Sequence, residues 1–384
     1  RSVVAVTTDL DEALRGADFV FSAIRVGGLA GRAADERVAL AEGVLGQETV
    51  GAGGIAYGLR TVPVATAIAR RVAELAPDAW VINFTNPAGL VTEAMSRVLG
   101  DRVIGICDSP VGLGRRVTRL LGVDPDEAWF DYVGLNHLGW LRGVRVAGRD
   151  VLPRLLADPR ALGSFEEGKL FGPEWLRSLG AVPNEYLHYY YFNREAVRGY
   201  REAGRTRGAY LQEQQTGFYG APSLDTWHRT LADREATYMA ANREAAGAGE
   251  RTEEDLEPGG YENVALALMR AIARDERTTL ILNVRNGTTL SVLDADAVIE
   301  VPCFVDANGA HPVSVAPLPY HAVGLVTAVK AVEREVMAAA RGGSRSAAVK
   351  AFALHPLVDS VPVARRLLDA YVEEHPGLAY LAPH

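Results

Sequence analysis

The feature that most constrains this chain is a regular alternation, through residues 1–130, of short, mostly apolar runs with longer helical stretches. Ala17–Ile24, Trp80–Phe84 and Val103–Cys107 are apolar on both faces, as strands of a parallel sheet covered by helices on either side must be. Each run breaks into a loop: Arg25-Val26-Gly27-Gly28, Thr85-Asn86-Pro87 and Asp108-Ser109-Pro110. Helices are predicted over 62–75, 88–99 and 111–121, with Pro87 and Pro110 suited to first turns and Ser109 to a cap. Such alternation predicts an α/β fold, a doubly wound parallel sheet whose ligands sit beyond the carboxyl ends of its strands. Arg25, Asn86, Cys107 and Asp108 fall at those ends. From 131 to 384 the pattern loosens into helices over 265–275 and 321–340 and a strand pair at 279–284 and 298–305, read as a second, α+β substrate domain. The opening, 3–18, reads as a short strand and a helix from Leu10, a start in the middle of a domain that should leave a sheet edge exposed.

Net charge decides which partners are plausible. At −8 with scattered acids, the chain has no basic face for nucleic acid and no basic amphipathic helix for a membrane surface. No apolar run reaches the length of a span and residues 1–9 lack a signal-peptide core, so a cytoplasmic location is expected. An anionic substrate would need local arginines. Cys107 and Cys303 are expected as free thiols, and 242–260 is the nearest thing to a linker.

The residues able to carry chemistry are individually ambiguous. Cys107 at a helix N-terminus is either an inert core thiol or a thiolate, with Asp108 beside it. His137, in Gly134-Leu135-Asn136-His137-Leu138-Gly139, is either a structural imidazole or a metal ligand, and it matters chiefly if it meets Cys107. Arg25, Arg32 and Gly51–Gly54 surround a loop that could close over a phosphate, or are surface groups. His188–Tyr191 is a possible sugar-lining aromatic patch, Tyr261 a residue packed at a helix start, and Arg285 the exit of a strand.

Read in order, Ile24–Gly28 with Arg32, Gly46–Thr49, Asn83–Pro87, Cys107–Pro110, Gly134–Trp140 and Val301–Cys303 resemble the motif series of glycoside hydrolase family 4 over nearly the whole chain. The resemblance implies an incomplete Rossmann-like NAD-binding domain over 1–130 and a substrate- and metal-binding domain over 131–384, in an architecture like that of lactate and malate dehydrogenases. It implies NAD and a divalent metal, usually manganese, held by Cys107 and His137. Asp108 matches the proton donor and Tyr261 the base. Arg32, Asn86, Asn136 and Arg285 match substrate contacts, and Arg25 and Asn83 cofactor contacts. The implied reaction is hydrolysis of a 6-phosphoglycoside, in which hydride leaves C3, a proton leaves C2, the aglycone is eliminated and water adds back. Cys-Asp-x-Pro is similar to the α-specific form, whereas Leu45–Val64, Gly134–Trp140 and Val298–Pro312 are more similar to the β-specific one, which is preferred. A dimer or tetramer is implied. The family's Gly-rich dinucleotide loop is not found in this sequence, which predicts poor NAD binding by the chain as given. A 2-hydroxy-acid dehydrogenase, or a truncated sugar-phosphate-binding protein without activity, is the alternative.

Overall fold

Strands form where the apolar runs predict them: β1 (Phe19–Ser22), β2 (Trp80–Asn83) and β3 (Val103–Gly105) pair in parallel. The computed structural model describes residues 3–252 and 260–383. Among the described residues seven further strands belong to the same sheet: β4 (Trp129–Leu135), β5 (Leu138–Val146), β6 (Arg149–Asp150), β7 (Val182–Pro183), β8 (Thr278–Arg285), β9 (Val298–Asp306) and β10 (Gly309–Pro312). The order is β1-β2-β3-β8-β9-β4-β5-β6, with β10 on β9 and β7 on β5. The parallel half is therefore joined directly to an antiparallel half, because β8 runs antiparallel to β3 and β9 lies between β8 and β4. The division expected at 130–131 falls inside β4, and the sheet passes through it unbroken. Among the described residues β1 is the outermost strand, and Phe21 on it is 44% exposed. The short strand expected within 3–8 does not form. Those residues pair with no strand among the described residues, and Val3, Val4 and Val6 are exposed.

The helices Ala88–Leu99 and Ser109–Leu121 follow β2 and β3. The helix expected at 62 begins at Gly51 and runs to Leu75. Its glycines are packing residues and not a closing loop: a Cβ at Gly53 would stand 2.5 Å from the Gln47 and Gly46 carbonyl oxygens, and one at Gly54 2.4 Å from Thr49 carbon. The segment before the helix thus folds back over its first turn, and that places Gln47, Glu48 and Thr49 beside the carboxyl ends of the strands.

Helices Tyr320–Gly342, Arg345–Leu354 and Val361–Glu374 pack their apolar faces on Gly51–Leu75, burying Phe352 and Tyr371 completely. A buried ion pair ties that layer together. Arg60 donates to both oxygens of Asp35 at 2.8 and 2.7 Å, and His375 Nε2 lies 2.8 Å from Asp35 Oδ1. Both cysteines are free and buried. Among the described residues no helix is long and apolar enough to cross a membrane. The expected linker is helical over Ala240–Ala246, and its residues 253–259 lie outside the described part.

Candidate active site

The loops after β1, β2 and β3 and the β4–β5 loop open on one cavity of about 710 Å³. On its wall stands His137, which turns the β4–β5 hairpin, and directly behind that ring lies Cys107, which ends the β3 segment and does not itself line the cavity: Sγ lies 3.6 Å from Nε2. Both are buried, at 2% and 4% exposure. His137 Nδ1 lies 2.7 Å from Thr49 Oγ1, whose own proton goes to Gln47 Oε1 at 3.0 Å. Thr49 is then left to accept, so Nδ1 carries the ring proton and the Nε2 lone pair faces the sulfur, as in a metal-ligating histidine whose tautomer is fixed from behind. Burial pushes His137 down to about 3, so it is neutral near pH 7 and able to ligate. Burial, and then the charge of Glu300, push the Cys107 thiol up. Among the described residues no third His, Cys, Asp or Glu joins the pair to make a metal cluster. One sulfur and one imidazole nitrogen therefore fit a divalent cation whose other positions are left to ligand and water.

Asp108 and Tyr261 flank the pair on the cavity wall. Tyr261 lies near enough to Asp108 and Cys107 for their ionisations to act on one another. Burial, reinforced by the charge of Glu185, raises Asp108 to about 6, which suits a proton donor working near neutrality. Burial, then the Cys107 and Asp108 charges, push Tyr261 upward, so it needs a nearby cation to act as a base. Tyr261 does begin a helix, Tyr261–Arg274.

The other predicted residues divide. Arg25 and Arg32 line the cavity, but both pair with Glu48, and Arg32 Nε also donates to Glu36 at 3.0 Å. Burial opposes ionisation of Glu48, yet the Arg32 and Arg25 charges outweigh it and hold the carboxyl at about 2. Arg32 therefore builds the wall and spends its charge there. Asn86 lines the cavity. Asn83 does not and is fully buried; its Nδ2 is 3.1 Å from Thr92 Oγ1 and its Oδ1 accepts from Thr85 N at 3.1 Å, so it shapes the loop and cannot touch a cofactor. Asn136 donates to Glu300 Oε1 at 3.1 Å, behind the wall. Arg285 lies away from the site. Because β8 runs antiparallel to β3, its last residue sits where β3 begins, paired with Asp101 at 3.2 Å and Asp296 at 2.6 Å. Of the aromatic patch only Tyr189 faces the cavity. Tyr191 accepts from Trp140 Nε1 at 2.9 Å, and His188 lies 2.9 Å from Asn242 Nδ2.

Sequence reading missed Tyr186, Arg207 and Arg234. Tyr186 lies flat on the His137 ring at 3.6 Å. Arg207 and Arg234 face the cavity with no carboxylate partner among the described residues; Arg207 donates instead to the Thr237 and Arg234 carbonyls at 3.2 and 2.8 Å. Burial, then the charge of Arg32, push both guanidinium groups downward. Although the Glu48 and Glu235 charges also act on Arg234, two guanidinium groups facing one cavity without a carboxylate in ion-pair contact among the described residues can attract an anion.

Two family models cover most of the chain: "Family 4 glycosyl hydrolase" over residues 2–123 and "Family 4 glycosyl hydrolase C-terminal domain" over 132–358. A probable 6-phospho-beta-glucosidase of Bacillus subtilis is 33% identical over 97% of this chain and 82% of its own length. Among solved structures, a 6-phospho-alpha-glucosidase from gut microorganisms in complex with NAD and Mn2+ is 29% identical, with a TM-score of 0.78 over 97% of this chain and 84% of that one. A 6-phospho-beta-glucosidase from Thermotoga maritima with NAD and glucose-6-phosphate is 27% identical, with a TM-score of 0.79 over 96% and 83%.

Proposed function

This chain belongs to glycosyl hydrolase family 4, and from that premise we propose that it hydrolyses 6-phosphoglucosides in the cytoplasm with NAD and a divalent metal, manganese by preference. The observation that carries the proposal is the Cys107–His137 pair, 3.6 Å apart, with His137, Asp108 and Tyr261 lining one cavity and Cys107 immediately behind it. Cys107 and His137 are the residues to hold the metal. The carboxyl ends of β1 and β2, through Arg25 and Phe84, fit the redox end of a dinucleotide in a Rossmann crevice. When bound, NAD+ supplies reversible hydride removal from the sugar, and the metal supplies a Lewis acid that draws down nearby hydroxyl pKa values.

The chain's own residues do the rest. Arg207 and Arg234 neutralise the 6-phosphate, and Asn86 contacts the sugar. Asp108 hands its proton to the departing glycosidic oxygen. Tyr261, on the cavity wall with Asp108, takes the C2 proton. Tyr186 is the second candidate for that step, since it lies directly on the His137 ring. Solvent-deuterium wash-in at C2 separates them: the Tyr→Phe variant of the true base loses exchange, and a Tyr261→Phe variant that exchanges normally transfers the role.

The β-anomer is placed first, on the three sequence stretches that resemble the β-specific form. Assays of α- and β-linked chromogenic glucoside 6-phosphates, with and without Mn2+ and NAD+, test both levels. Hydrolysis of the α-anomer alone overturns the preference. Activity that persists in Cys107→Ser without added metal overturns the mechanism.

A further inference from the structure

His137 is the second residue of a two-residue loop, with Leu135 and Leu138 paired across it. Its φ is 60°, a left-handed conformation that turns usually give to Gly or Asn. A larger residue stays there only where its surroundings over-determine it. Thr49 and Tyr186 hold the ring, but neither fixes the backbone that aims it.

The preceding residue is held from elsewhere. Glu300 is 1% exposed, in the otherwise apolar run of β9, directly across from Asn283 on one side and Gly134 on the other. Its Oε1 accepts from Asn136 Nδ2 at 3.1 Å and Asn283 Nδ2 at 2.8 Å, and its Oε2 accepts from the Tyr132 hydroxyl at 3.1 Å. Gly139 makes this reach possible, because a Cβ there would stand 2.4 Å from the Tyr132 hydroxyl oxygen. A buried acid is costly inside a strand. Glu300 does not line the cavity. None of the catalytic steps uses it.

We propose that Glu300 is a positioning residue: through Asn136 it holds the Asn136–His137 loop in its left-handed form and so keeps His137 Nε2 facing Cys107 Sγ. The inference rests on the reading that Cys107 and His137 hold a divalent metal. Oε1 accepts both amides whether the carboxyl is charged or neutral. A glutamine keeps that oxygen and turns its Nε2 to Tyr132, whereas alanine frees Asn136.

The test is Mn2+ titration of the full chain, followed by electron paramagnetic resonance of the free ion. Glu300→Ala and Asn136→Ala should weaken binding by about 10- to 100-fold, the range found when outer partners of metal ligands are removed. Glu300→Gln should stay within a few-fold of the native protein, and a Co2+–thiolate charge-transfer band should survive in it while shifting or vanishing in Glu300→Ala. If Glu300→Ala does not fold by circular dichroism, Asn136→Ala carries the test, since it leaves Glu300 bonded to Asn283 and Tyr132. A native protein that takes up no Mn2+ overturns the metal reading beneath this one. Native binding that both alanine variants match overturns the inference alone, as does a Glu300→Gln variant that falls as far as alanine.

Discussion

Arg234→Gln isolates the phosphate site. Arg234 faces the cavity and has no hydrogen-bond or ion-pair partner for its guanidinium among the described residues, and burial together with the charge of Arg32 pushes its pKa down. Folding therefore disfavours its charged form, and because its pKa stays far above neutrality the penalty is constant near pH 7. Glutamine should leave the melting temperature of the ligand-free protein unchanged or slightly higher. Catalysis should suffer. One hydrogen bond to a charged group contributes about 1.5–3 kcal/mol, so kcat/KM on a glucoside 6-phosphate should fall about 10- to 150-fold. The unphosphorylated glucoside should be affected little. The same loss should appear as ligand-induced stability. At a glucose 6-phosphate concentration of about 100 Kd the native protein gains about 2.7 kcal/mol, and the variant at that concentration gains only about 0.3–1.4 kcal/mol. Equal ligand-induced shifts in both proteins, or a ligand-free melting temperature well below native, would refute the assignment.

Three further outcomes follow from the same geometry. Asp108 is raised to about 6 by burial and Glu185; if its protonated form is the catalyst, kcat should fall tenfold per pH unit above about 6, and a profile that keeps this limb in Asp108→Asn rejects the role. The sign for stability is the same: a carboxyl raised above its ordinary range loses its contribution as pH climbs to about 6, so Asp108→Asn should melt higher than native at pH 8 and no higher at pH 3. Asp35→Asn strips the counter-charge from Arg60, which is only 4% exposed; breaking such a pair should cost about 3–5 kcal/mol by denaturant titration, and a loss below about 1 kcal/mol would show that the cluster is not a structural lock. Leu224, Trp227 and Leu231 are 75%, 47% and 43% exposed at helical spacing on a helix that buries none of its residues; the expected dimer or tetramer should sediment as such and dissociate in Trp227→Glu, and a monomeric native protein ends that expectation.

The parallel half of the fold was readable because strands covered by helices are mostly apolar, and so Trp80–Asn83 and Val103–Gly105, and at the sheet edge the half-buried Phe19–Ser22, announce themselves. Cys107, Asp108 and His137 were readable for a related reason: they stand where those runs and the β4 run stop. What a strand end does not reveal is which way the strand runs in the sheet. Arg285 ends a strand as plainly as Cys107 does, yet β8 is antiparallel to β3, so it reaches the opposite edge and pairs with Asp101. Asn83 fails for a different reason. Its position is right, but an amide at 0% exposure between Thr85 and Thr92 is committed to the turn before any ligand arrives.

Arg207, Arg234 and Glu300 were unreadable in proportion to how far the fold carries them. The two arginines come from a helical segment about a hundred residues beyond the thiol they serve, and no local pattern separates them from solvated surface charge. Glu300 alone left a trace: one acid inside Val298–Val305, an otherwise apolar strand. Burying it costs free energy that the strand itself cannot recover. A single charge in an apolar run therefore points to donors on neighbouring strands, and here those donors, Asn136, Asn283 and Tyr132, lead directly to the histidine on which the chemistry depends.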